Sequence, residues 1–287
     1  MRGRGQRMFR SDSTLGRREL LRFLSMGVGC CALSGLAPVG ALAAQVTGSY
    51  YADPKNQFLP QFAGVCQGVR QMLVPMVGPE KATSAARGAL SGFKAQLPHL
   101  PDVGGARNPD TQYIVIAAWY AALGQALFPI GLTAEDVGRM VYDLNAGELK
   151  HANPGASLAT GARRFTPQSY AQGVRWAKWT QKREYPGNWV AEFLIGSGGD
   201  FDFGYDYSEC GVVKHLKAQG FPQLAPYVCL NDFLSSRAQG TGLIRSETLA
   251  LGYERCDFRY KKDREVTQDW ETEVPKIRAR AGELGWT

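Results

Sequence analysis

The stretch FDFGYDYSECGVVKHL, residues 201–216, sets the fold class of this chain. Phe201, Phe203, Tyr205 and Tyr207 alternate with Asp202, Gly204 and Asp206, the period of a strand with one buried face. The run from Val212 onward has helical character, so Cys210 stands where a strand hands over to a helix. On an uninterrupted strand, parity puts Cys210 with the acidic side chains and Glu209 with the aromatic ones. Unpaired N–H groups and the dipole at a helix start favour a thiolate, and carboxylate neighbours oppose it. Gly211, next in line, lets the backbone approach closely. Cys210 is therefore a candidate nucleophile, with a disulfide or a core thiol as the plainer alternative.

Working outward, residues 189–195 read as a strand, Gly196-Ser197-Gly198-Gly199 as a turn, and residues 243–260 as a hairpin hinged near Gly252. Helices are expected over 170–182, 212–219 and 224–236. The first half is helical throughout. Phe58, Phe62, Val65, Val69, Met72, Leu73 and Met76 recur at helical spacing, with Cys66 beside the stripe as a buried small hydrophobe. Ala85, Ala89, Phe93 and Leu97 repeat the period. Residues 114–128 are apolar all round, which marks a central helix. Thr133 and Asp136 come close to a capping box, followed by a buried face of Val137, Met140, Val141 and Leu144. The expected organisation is α+β: a helical region over 44–150, a linker over 151–168, and an α+β region over 169–287.

Charge has a local origin. Of the net +7 on 287 residues, the first 43 carry +5, from seven arginines against Asp12 and Glu19. What remains shows no basic stripe with interleaved aromatics, so nucleic acid is not an expected partner. The N-terminal segment reads as an export signal for the twin-arginine machinery. Arg17-Arg18 precede a short apolar core and a small-x-small site at Ala41-Leu42-Ala43. That core is too short to span a bilayer, so no stable membrane span is expected in the mature form. The expectation is a periplasmic or secreted protein, cleaved near Ala43, with four cysteines left: Cys66, Cys210, Cys229 and Cys256. Disulfides persist in that compartment, and three pairings are open.

Chemistry is concentrated in the second half. Cys229 and Asp232 lie three apart on an expected helix and share a face. On the final strand Arg255, Asp257 and Arg259 share one face, and Cys256, Phe258 and Tyr260 the other. A solvated face with cross-strand pairs is the plainer account of the charged set. No GxSxG elbow, HExxH helix or P-loop occurs. Cys210, Cys229 and Cys256, with His215 and Asp232, form a set that a soft transition metal loaded before export would suit, which would make a periplasmic metal-binding or redox protein.

Four segments together carry a resemblance: YDYSECG at 205–211, CLND at 229–232, RSETLALG at 245–252 and CDFRY at 256–260. In order and spacing they resemble the L-2-amino-thiazoline-4-carboxylic acid hydrolase family, and AAWYAAL at 117–123 and the helix from Thr133 to Gly147 fall where that family has comparable helices. The resemblance implies a hydrolase that opens a small cyclic amidine or related C–N bond, a small molecule such as 2-aminothiazoline-4-carboxylate. It also implies roles for Cys210, Cys229, Asp232, Arg245, Thr248, Cys256, Asp257 and Arg259. Hydrolysis at an amidine carbon needs a base or a nucleophile, for which Cys210, Asp232 and Asp257 are the candidates. A substrate carboxylate needs a guanidinium, for which Arg245 and Arg259 are the candidates, with Thr248 beside them.

Overall fold

A computed structural model describes residues 50–286; the export signal read over 1–43 lies outside them. Helices α1 (Phe58–Val77) and α2 (Pro79–Gln96) pack as an antiparallel pair joined at Gly78. Helix α3 (Thr111–Leu127) runs through the middle. Its apolar surface faces neighbours on every side, with Ile114, Ala118, Ala121 and Leu123 almost wholly out of solvent. By length and composition Thr111–Ile130 would cross a membrane, yet most of it is buried inside the fold. Helix α4 (Ala134–His151) opens with the full capping box: Thr133 accepts from the Asp136 backbone N–H, and Asp136 accepts from that of Thr133. Two shorter helices follow, α5 (Pro154–Arg163) and α6 (Pro167–Thr180).

Four antiparallel strands form one sheet in the order β1-β2-β4-β3: β1 (Val190–Ile195), β2 (Phe203–Glu209), β3 (Leu243–Ile244) and β4 (Cys256–Tyr260). Between strands come α7 (Gly211–Ala218) and α8 (Ala225–Gln239), and α9 (Trp270–Glu283) closes the described chain. One continuous core reaches from Tyr51 to Ile277, so the helical half and the sheet are packed as one body. The α+β architecture is as the sequence predicts.

Two elements differ from expectation. The stretch 151–168, read as a linker, contains α5, capped by the Asn153 side chain. It packs on α8 because Gly161 has no side chain: a Cβ there would collide with the Gln239 carbonyl. The C-terminal hairpin is also shorter on its first arm. Its β3 keeps only Leu243 and Ile244, since Asp257 Oδ1 accepts from the Ser246 and Glu247 backbone N–H groups at 2.8 and 2.6 Å and draws that arm out of the ladder. Thr248 then caps a short turn at Leu249–Leu251. The four cysteines among the described residues are free, so no disulfide staples the fold.

Candidate active site

A partly enclosed cavity of about 140 Å³ lies at the seam between the helices and the sheet. Cys210, Cys229, Cys256 and Asp232 all line it, among the rings of Trp189, Tyr205, Tyr207, Phe258 and Tyr260. Such a volume is below the ~300–1,000 Å³ of pockets that take drug-sized ligands, so a single small ring is what it accommodates.

Local geometry explains how Cys210 arrives there. Parity on β2 predicts the opposite side, but the ladder is irregular: Val190 pairs with Glu209, and Ala191 with Tyr207, which leaves Ser208 as an extra residue. A bulge of this kind reverses the faces beyond it. Glu209 is thereby turned out to ion pairs with Arg183 and Lys214, and Cys210 joins Tyr205 and Tyr207 on the cavity wall. Gly211 permits the tight turn that follows, because a Cβ there would stand 2.8 Å from the Gly187 carbonyl and 2.9 Å from the Trp189 ring.

Helix α8 supplies Cys229 and Asp232 one turn apart, and β4 supplies Cys256 with Phe258 and Tyr260. Arg245 is buried behind them. It donates to Asp232 Oδ2 at 2.6 Å and to the Cys229 carbonyl at 3.1 Å, and its guanidinium lies 4.9 Å from the ring centres of Phe233 and Phe258. The Thr248 hydroxyl stands between two sulfurs, 3.5 Å from Cys256 and 3.9 Å from Cys229.

Burial dominates the electrostatics. It pushes the Cys210 thiol well up, helped by its Cys256 and Cys229 neighbours and opposed by the backbone N–H groups of Val213 and Val212 at the start of α7. Burial pushes Cys229 up to about 12 against the pull of Arg245, and raises Cys256 as well. The helix start thus softens the rise at Cys210 without reversing it, so all three thiols are held neutral at neutral pH. Asp232 is raised by burial and pulled back by Arg245 and then Arg164.

Other expected residues lie elsewhere. Asp257 is engaged by the 246–247 backbone and does not line the cavity. Arg259 is on the opposite face of β4, paired across strands with Asp206 at 2.7 Å, and Arg255, just before β4, reaches Glu247 in the preceding loop at 3.1 Å. Arg245 and Thr248 support the site from behind. His215 is buried on α7 away from the cavity wall, and burial lowers it to about 4. The metal expectation finds no ligand set: among the described residues no group of three or more His, Cys, Asp or Glu side chains is arranged to hold an ion. The Thr248 hydroxyl occupies the space between Cys229 and Cys256 that a shared ion would need.

Sequence reasoning missed several cavity residues, among them Arg164, Asn145 and Asp110. Arg164, at the end of α5, is buried with its guanidinium 4.2 Å from the Tyr260 ring centre and 5.3 Å from that of Phe203. Asn145 on α4 extends the stripe of Val137, Val141 and Leu144 with a buried amide, and a polar residue on an apolar face was the available signal. No curated protein and no solved structure matches this chain. The family model described as L-2-amino-thiazoline-4-carboxylic acid hydrolase matches residues 111–260, a span that holds every cavity residue named above but Asp110, and the chain belongs to that family of hydrolases.

Proposed function

We propose that this protein opens the ring of a small cyclic amidine of the 2-aminothiazoline-4-carboxylate type, with Cys210 as nucleophile and Asp232 as proton acceptor. The observation that carries this reading is the convergence of three thiols with the carboxylates of Asp232 and Asp110 on a single small aromatic cavity. The amidine carbon, bonded to two nitrogens and a sulfur, is the electrophile. Attack by the Cys210 sulfur forms the new C–S bond as the thiol proton passes toward Asp232. Breaking the ring C–S bond then releases the substrate's own thiol, which takes a proton. Water displaces Cys210 from the same carbon, and the net change is one water added to give N-carbamoyl-cysteine. Both nitrogens stay on the carbon in that product; a C–N cleavage would release one of them, so product analysis distinguishes the two outcomes.

A neutral thiol is consistent with this order of events, because burial holds the charge back until a substrate enters and the proton has somewhere to go. Arg164 supports the reading as the guanidinium on the cavity wall for a substrate carboxylate, since Arg245 is committed to Asp232. Asp232 itself is a poor residue to mutate as a first test. Its removal would leave the buried Arg245 charge uncompensated, at a cost of about 3–5 kcal/mol. Cys210→Ser is cleaner. It is expected to abolish ring opening of 2-aminothiazoline-4-carboxylate while changing unfolding free energy by less than about 1 kcal/mol. Full turnover by a folded Cys210→Ser protein would remove Cys210 from the chemistry.

A further inference from the structure

Three polar side chains on three helices form a chain along the cavity wall. Tyr120 on α3 takes a hydrogen bond from Asn231 Nδ2 at 3.1 Å, and Asn231 Oδ1 on α8 takes one from Asn145 Nδ2 on α4 at 2.9 Å. The orientation of both amides is fixed by chemistry. Asn231 Nδ2 also faces the carbonyl oxygens of Tyr227 and Val228, each at 3.2 Å, and these only accept. Asn231 must therefore present its nitrogen to them and its oxygen to Asn145. Asn145 in turn must present its nitrogen to Asn231, so its own Oδ1 is left over. That oxygen is buried, on a side chain only 4% exposed that lines the cavity, and it has no hydrogen-bond partner. A buried acceptor left unmade costs about 1–3 kcal/mol.

We propose that Asn145 Oδ1 is the specificity-determining acceptor for an N–H group of the bound molecule, so that the cavity selects small heterocycles bearing an amino, imino or amide N–H over equally sized ones without it. This rests on the cavity being the substrate site, and it names the atom of a cyclic amidine that Asn145 recognises: its nitrogen-bound hydrogen.

The test compares 2-aminothiazole with 2-methylthiazole, neutral rings of nearly equal size at neutral pH, by ligand-observed NMR titration of the folded protein. Wild type is expected to bind the amino compound about tenfold more tightly, and Asn145→Leu to bring the two within about twofold of each other. Asn145→Ala takes its place if the leucine variant does not fold. A wild type without preference, a variant that keeps the preference, or a wild type that binds neither compound overturns the assignment. Ring opening of 2-aminothiazoline-4-carboxylate is assayed separately. Preference without turnover leaves the role of Asn145 standing and removes the hydrolytic reading, and turnover without preference does the reverse.

Discussion

Cys210 is held between opposed forces. The N–H groups at the start of α7 pull toward thiolate, and burial among aromatic rings and two further thiols pushes harder the other way. Cys66 shows the contrast: it too is buried and raised to about 12, but it packs into the core from α1 and does not line this cavity. His215 gives the clearest pH effect on stability. Burial alone lowers it to about 4 from its ordinary 6.5, so the unfolded chain binds a proton between those values that the folded chain refuses. Its neutral form fits the fold at neutral pH, and stability is lost as pH falls through that window. Between pH 7 and pH 5 the loss assignable to this residue is about 2 kcal/mol. His215→Leu is expected to flatten that part of the curve in denaturant melts at the two pH values; an unchanged slope would show that His215 is not the group responsible.

Among elements, α5 has the largest consequence for its size. It closes against α8 through Gly161, and its last turn delivers Arg164 to the cavity, stacked on Tyr260 and Phe203. Gly161→Ala would force the two helices apart at a backbone carbonyl that cannot yield as a side chain would. The expected cost is about 1–3 kcal/mol in chemical denaturation, together with a raised KM as Arg164 shifts. A KM unchanged despite that loss would show that Arg164 does not hold the substrate. The strands and most helices were legible because their period is local: two residues for β2 and β4, three to four for α1 and α4. The α5 helix was not, because its ten residues hold Pro, Gly, Ser and Thr and it packs mainly through its contact with α8. The face of Cys210 was not legible either, since one extra residue in β2 reverses it and nothing within the strand's own alternation announces a bulge.

For the molecule as a whole, the site belongs to neither half. Val65 comes from α1, Tyr120 from α3, Asn145 from α4 and Arg164 from α5, while the thiols and Asp232 come from the sheet and the helices woven through it. The motif residues were legible as a group, yet sequence could not sort those that meet the cavity from those behind or outside it. Cys229, Asp232 and Cys256 meet it, Arg245 and Thr248 support it, and Asp257 and Arg259 hold a loop and a strand face. The most direct measurement is a crystal structure of the Cys210→Ser protein soaked with 2-aminothiazoline-4-carboxylate. The expected density is a ring inside this cavity, its C2 facing residue 210, its carboxylate toward Arg164 and its exocyclic nitrogen within hydrogen-bond distance of Asn145 Oδ1. An ordered ligand bound anywhere else, with this cavity empty, would contradict the account.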